Sequence, residues 1–450
     1  MSNANKWPIV RLLTLAPSTK GAITGGPFGS DLVSRDYVDA GIPVVRGTNL
    51  PKHAKFSFDD LVFVTENKAD ALHLNCAHPG DLVFTQRGTL GQVGLLPKDS
   101  PYSRFLISQS QMKMTVDDKQ ADSLYLYYYF RLPSTVAYIE NHALQSGVPH
   151  INLGILRKLQ VICPPLNVQK KIAAIISAYD DLIENNQRRI ALLEKMAEEL
   201  YREWFVRMRF PGHEQVKKVK GVPEGWGLVK LEQAFSYTGG GTPSKEVERY
   251  WNDGDVNWFT PSDITGSGGI FLEKSGDQCT EEGFNNSSAK MFPAYSIMLT
   301  SRATIGAVGI NLTPACTNQG FITCIPNEQY PLPYLYHWIK LAKPYFEQLA
   351  VGATFAELTK GTFKRIEILT PPEPIVNEFS KITLPLFKAI ESHLRANKKL
   401  TDMRDLMLPR LISGKLSVEQ LDIQFPPSME GAPSPQPSPA GRGGYSEVTP

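Results

Sequence analysis

Two short phrases in this sequence carry the side chains best suited to gripping a planar, oxygen-rich partner. RGTLGQVG spans 87–94 and RATIGAVG spans 302–309, with Arg, Thr, Gly, Val and Gly at matching places. Each follows an apolar run, VFTQ or MLTS, that reads as a strand. A guanidinium at the end of a strand can form two parallel hydrogen bonds to a guanine edge or clamp a phosphate, and the glycines let backbone approach closely. The competing reading is that Arg87 and Arg302 brace the fold through a carboxylate or carbonyl while the glycines make turns.

Other motifs offer less. GGGTPSKE (239–246) invites comparison with a phosphate-binding loop, but Ser244 precedes Lys245 and Glu246 follows it, so the Gly and hydroxyl that such a loop needs are missing. HLNCAHP gathers His73, Cys76 and His78 without a visible fourth ligand, which favours a turn over a metal site. There is no Gly-x-Ser-x-Gly elbow. The Pro-Pro pairs are preceded by Cys163, Thr370 and Phe425, not by the Asn or Asp found in amino-methylating DNA enzymes. No catalytic centre and no metal site is expected on this chain.

The elements that position these residues are themselves repeated. GIPVVRGTNL (41–50) is echoed by GDVNWFTPSDI (254–264), LYLYYYFRL (124–132) by PYLYHWIKL (333–341), and RKLQVICPPL (157–166) by KRIEILTPPE (364–373). A repeat this long gives two domains, because each copy can bury its own core. Short runs of β-branched and aromatic residues between Gly and Pro turns predict strands at VVRGTNL, DLVFTQ, VGLL and MKMTV, and again at AYSIMLTS and FITCI. Helices are predicted near 123–131 and 333–341, so both copies read as mixed α/β.

After the first Pro-Pro, Val168 to Phe205 contains no Gly or Pro. Apolar residues alternate at steps of four and three through Ile172, Ile176, Tyr179, Ile183, Asn186, Ile190, Leu193, Ala197, Leu200 and Trp204. That is a coiled-coil seam with one register-setting Asn, on a helix of ~57 Å at ~1.5 Å per residue. The matching series is Phe379, Thr383, Leu386, Ile390, His393, Asn397, Leu400, Arg404, Met407 and Leu411. It is more polar, and Pro385 should kink this helix or mark its start. Gly414 is a plausible stop. The expected fold is two tandem mixed α/β domains separated by two long helices packed as an antiparallel coiled coil. The expected bounds are domain 1 at 1–166, helix 1 at 167–210, a basic linker at 211–222, domain 2 at 223–373, helix 2 at 374–416, and an extension with a disordered tail at 417–450.

The 450 residues are 42% hydrophobic and 20% charged, with a formal net charge of +2. No global positive field is present, so any polyanion-binding surface must come from local clusters. Five scattered cysteines without a CxxC pair point to a reducing compartment. MSNANKWPIVRLL lacks the basic and apolar segments of a signal peptide, and no apolar run approaches a membrane span. A cytoplasmic protein is expected, with no membrane partner.

In combination, GPFGSDLVSRDYVDAGIPVVRGTNL, GGGTPSKEVERYWNDGDVNWFTPSDI, PEGW, the two Arg phrases, CPPLNVQKKIAAI with its heptads, and LMLPRLISGKL carry a resemblance. The chain resembles the specificity (S) subunit of type I restriction-modification enzymes over roughly residues 8 to 425. It departs slightly: copy two lacks the Gln after Pro-Pro that copy one has at 169. The resemblance implies two target-recognition domains, each reading half of a bipartite, asymmetric sequence in double-stranded DNA, with the helices as a scaffold. It implies two modification subunits that use S-adenosylmethionine to methylate adenine N6, and restriction subunits that use ATP and Mg2+. This chain would then carry no cofactor.

The candidate DNA-binding residues are Arg46, Thr48, Asn49, Gln86, Arg87 and Thr89 in copy one. In copy two they are Ser262, Asp263, Ser301, Arg302, Thr304, Lys360 and Lys364. Of the seam residues, Ile172, Ile176, Tyr179, Ile183, Asn186, Ile190, Leu193, Leu200 and Trp204, with Phe379, Leu386, Ile390, Leu400, Met407 and Leu411, are the candidates for the helix-pair and subunit interface. Three alternatives stay open here: a nucleotide-hydrolysing enzyme using 239–246, a specificity subunit of a methylation-only system, and an inert tether.

Overall fold

The computed structural model describes residues 7–52, 54–143, 150–352 and 356–425. It divides into two compact units, Met1–Ile183 with Lys399–Pro450, and Glu184–Lys398. The division falls inside both long helices, so each unit is one globular domain plus a portion of each helix.

In the first unit a sheet runs in the order Ile23–Gly25, Gln111–Met114, Leu82–Thr85, Val93–Leu95. A second sheet is centred on Ile42–Val45, parallel to Phe105–Ile107 and antiparallel to Val62–Val64. The second unit repeats this path. Ser236–Gly239, Phe321–Ile325, Ile297–Thr300 and Val308–Asn311 are neighbours in that order, with Phe271–Leu272 added at the edge. Val256–Phe259 lies parallel to Ala315–Thr317 and antiparallel to Asp277–Cys279. The predicted strands are present, except that VVRGTNL stops being strand after Val45 and turns through Gly47–Asn49.

The aromatic echo of the sequence has a shared structural reason. Helices Ser123–Phe130 and Leu332–Leu341 are almost wholly buried. Tyr125 donates its hydroxyl to the Ile162 carbonyl at 2.7 Å, and Tyr334 donates to the Leu369 carbonyl at 2.9 Å. A buried phenol needs such a partner, and burial pushes both hydroxyl pKa values up. The accepting strands, Gln160–Ile162 and Glu367–Thr370, pair antiparallel with Ile9–Arg11 and Gly227–Lys230. Each copy therefore closes its own entrance against its exit, just before a long helix begins.

Those helices span Leu166–Tyr201, continued by a π-helical turn at Arg202–Val206, and Glu373–Ile412. Within the first unit Tyr179 Oη donates to Met407 Sδ at 3.3 Å and Asp180 meets Arg404 at 2.7 Å. Within the second, Asn186 Nδ2 donates to Asn397 Oδ1 at 2.8 Å, and the Tyr201, Trp204 and Phe205 rings pack on Phe379. Numbers rise on one helix as they fall on the other, so the pairing is antiparallel in each unit. The predicted seam residues are buried or half-buried throughout.

Pro385 does not mark the start of the second helix, which begins twelve residues earlier at Glu373 and runs through it. Pro385 is exposed, so water can satisfy the carbonyl that loses its intrahelical partner. Gly414 adopts φ 71°, and beyond it the Leu416 N–H returns to the Arg410 carbonyl at 3.0 Å, ending the helix as expected. The extension packs back on the first unit. Val418 is buried, and Lys171 Nζ donates to the Glu419 and Leu421 carbonyls at 2.9 and 2.7 Å. Residues 426–450, which include the stretch predicted to be a disordered tail, lie outside the described residues.

Candidate nucleic-acid interface

In both copies the Arg phrase is stitched to its neighbours by the same backbone bonds. Ser301 N–H donates to Gly320 O at 2.8 Å, and Leu358 N–H donates to Ser301 O at 2.8 Å. Their counterparts are Gln86 N–H to Ser110 O at 2.7 Å and Ile151 N–H to Gln86 O at 3.2 Å. The residue after each Arg is left-handed, Gly88 at φ 95° and Ala303 at φ 62°. Glycine adopts this region without strain, whereas alanine is held there by the surrounding bonds. This kink puts Arg87 and Arg302 at the tip of the loop, where both are exposed.

A Gly-rich segment packs beside each Arg loop. Gly26 N–H donates to Gln111 O at 2.8 Å and Gly241 N–H to Thr317 O at 2.9 Å. A Cβ on Gly26 would overlap Ser108 O, and one on Gly240 would overlap the carbonyl oxygens of Thr317 and Asn318. The turns they press against, near 108–110 and 318–320, are anchored in turn by Ser108 N–H to Val45 O at 2.9 Å and Asn318 N–H to Phe259 O at 3.1 Å. In the second unit this brings the Gly-rich segment, the 259–262 segment, the 318–320 turn and the Arg302 loop together. A Cβ on Gly320 would lie 3.6 Å from Pro261 Cγ and 4.0 Å from Arg302 Cβ.

The structure sorts the predicted residues. Arg87, Thr48, Thr89, Ser262, Arg302, Thr304 and Lys360 are exposed. Among the described residues the Arg87 guanidinium has no ion-pair partner. Arg302 Nε lies 3.8 Å from Glu357, a loose pair between half-exposed side chains that solvent screens. Lys360 Nζ lies over the Gly239 backbone. Arg46 and Gln86 are half-buried, and Arg46 donates to the Asp60 carbonyl.

Three candidates need correcting. Asn49 is buried, its amide donating to Asp59 O at 2.9 Å and its Oδ1 accepting from Arg46 N–H, so it shapes the loop from inside. Ser301 is buried beneath the tip. Asp263 accepts from Thr260 N–H at 2.6 Å and Gly276 N–H at 2.8 Å, which makes it the third-residue partner of the N-cap Thr260 in the capping box of helix Pro261–Gly266. Lys364 is exposed and paired with Glu232 at 3.6 Å, and its N–H donates to the Lys360 carbonyl at 3.0 Å one helical turn away. Sequence reasoning missed two residues at the turns, Gln109 and Gln319. They occupy equivalent places in SQSQM and TNQGF, so the repeat itself held the signal.

The remaining motifs are structural. Lys245 Nζ is 2.9 Å from Asp277 and sits 4.6 and 5.0 Å from the ring centroids of Trp251 and Trp258. This half-exposed lysine is already engaged by a carboxylate and two indole rings and is followed only by the short turn Glu248–Tyr250, not by the helix start that holds a phosphate chain. Cys76 is buried, its thiol facing the Ala69 and Leu72 carbonyls at 3.6 and 3.8 Å, and burial raises its pKa. Among the described residues no cluster of His, Cys, Asp and Glu is arranged to hold a metal.

A duplicated α/β reader with exposed basic tips, joined through paired helices, defines a class of recognition scaffold. The model of the type I restriction modification DNA specificity domain matches residues 42–195 and 223–401. The chain belongs to that family and is a type I specificity subunit. It is 28% identical over 339 residues to the HindI specificity subunit of Haemophilus influenzae, covering 60% of this chain and 72% of that one. It is 25% identical over 413 residues to the MjaIX specificity subunit of Methanocaldococcus jannaschii, covering 89% and 92%. The crystal structure of a type I S subunit from M. genitalium superposes with a TM-score of 0.58 at 17% identity, covering 91% of this chain and 97% of that chain, a likeness of fold. Specificity subunits are the non-catalytic members of type I complexes with DNA.

Proposed function

We propose that each unit reads one half of a bipartite, asymmetric sequence in duplex DNA through its Arg loop and the turn beside it. The observation that carries this reading is the recurrence of one exposed arrangement, a kinked Arg tip against a Gly-rich segment, on two scaffolds whose surrounding sequences differ. Two similar half-sites of a duplex call for two copies of one fold, and different bases call for different side chains at the tips. The chemistry resides in partners: two modification subunits using S-adenosylmethionine to methylate adenine N6, and restriction subunits using ATP and Mg2+. Among the described residues no helix is long and apolar enough to cross a membrane, and the complex acts in the cytoplasm.

The test is to co-express the chain with its modification partner and map methylated adenines. Methylation at one two-part motif, with one part replaced when residues 1–160 are exchanged for those of another specificity subunit, is the expected result. An unchanged motif would sink the role given to the first unit. Arg302→Ala should relax preference at one base pair by ~1–3 kcal/mol if the guanidinium reads guanine. Even weakening across all sequences would assign it to phosphate instead.

A further inference from the structure

Gln319 is exposed at the crest of the 318–320 turn, whose Gly320 carbonyl accepts the Ser301 N–H. Arg302 follows that serine directly, so the amide and the guanidinium stand on adjoining loops of one exposed edge. Thr242, from the Gly-rich segment, donates its hydroxyl to Gln319 Oε1 at 2.7 Å. That bond orients the amide before any partner arrives, removing rotamer freedom that binding would otherwise have to remove. Both Nε2 hydrogens have no acceptor among the described residues, and Oε1 keeps a second lone pair. A free donor beside a free acceptor in one plane matches the N6 and N7 edge of adenine in the major groove.

The first unit uses the equivalent residue differently. Gln109 donates its amide to the carbonyls of Gly29 and of Leu32, the latter at 3.1 Å, and so ties down the 29–32 segment. Its donors are occupied, which leaves no complete adenine-matching edge. The same residue type at the same place is thus a brace in one copy and an outward-facing amide in the other.

We propose that Gln319 is a specificity-determining residue that reads an adenine next to the base contacted by Arg302, oriented by Thr242. This deepens the DNA-reading function above and rests on it.

The test uses the full chain co-expressed with its modification subunit, methylated sites being mapped for the wild type, Gln319→Ala and Gln319→Glu. Gln319→Ala should relax one base position in the half-site of the second unit, from strong preference to nearly none, a change on the order of 5- to 150-fold in relative methylation. The other half-site should be unaffected. Gln319→Glu keeps the acceptor for Thr242, so the turn stays folded, but it loses the donor. It should abandon adenine at that same position and admit cytosine, whose N4 amino group a carboxylate can accept from. Full methylation with every position at wild-type preference in both variants would overturn the assignment. So would an even loss over all sites accompanied by a lower melting temperature in both. If the exchange of residues 1–160 alters the motif while the Gln319 variants do not, only the glutamine assignment fails. If that exchange changes nothing, the two-half reading itself fails.

Discussion

Asp180→Ala is expected to destabilise the first unit by about 3–5 kcal/mol. Asp180 and Arg404 meet across the helix pair at 2.7 Å with side-chain exposures of 13% and 9%, and Asp180 also accepts the Tyr128 hydroxyl at 2.7 Å. Burial pulls the Arg404 guanidinium pKa down, but the hydrogen bonds and charges of Asp180 and Asp405 outweigh it and hold the group above its usual value. Removing the aspartate leaves a guanidinium that stays charged with one exposed partner, Asp405, and it leaves the Tyr128 hydroxyl without its acceptor. Exchanging both members for apolar groups, Asp180→Leu with Arg404→Met, should recover more than half of the loss, because no buried unpaired charge then remains and Asp405 is exposed to water. Urea unfolding of the three proteins checks this. Equal midpoints for Asp180→Ala and the wild type would mean the pair contributes nothing.

Gly240→Ala is the second large effect, and it falls on recognition. The new methyl group would overlap two carbonyl oxygens, those of Thr317 and Asn318. Neither can move freely. Thr317 lies in a strand registered on Phe259 and accepts the Gly241 N–H, while Asn318 N–H donates to Phe259 O. Overpacking against fixed backbone costs about 1–3 kcal/mol, and the least costly relaxation lifts the Gly-rich segment away from the turn. Thr242 then leaves Gln319, and the half-site read by the second unit should lose definition while the other is kept. Gly239→Ala is the control. There the obstacle is the far end of the Lys360 side chain, which can swing aside, so its effect on the methylation motif should be small. Motif mapping of both variants decides the matter; equal effects would mean that the backbone overlap is not what positions the loop.

Much of this molecule was legible as text. Apolar spacing is a local property, so the heptads from Ile172 to Trp204 reported their helix, and Asn186 reported a seam position that meets Asn397. Repetition is likewise visible without folding: the echo of Tyr125 in Tyr334 marked a bond that both copies make. The Arg phrases marked two equivalent loops at strand ends, but an outward-facing and a fold-bracing guanidinium are spelled alike, and the exposure of Arg87 and Arg302 is a property of the fold.

What the text could not decide was which side chains are occupied by partners far along the chain. Asn49 and Thr48 are adjacent and both polar, yet one is buried among carbonyls and the other faces outward. Lys245 already lacked the neighbouring Gly and hydroxyl of a phosphate loop as text, but only the fold shows that it lies against Trp251, Trp258 and Asp277. Gln109 and Gln319 are the same residue at the same place, and only the segments packed against them make one a brace and leave the other free to read. Composition and period fix which stretches are helix, strand or turn, since those depend on near neighbours. Hydrogen-bond ownership depends on contacts between segments dozens of residues apart, and those exist only once the chain has folded.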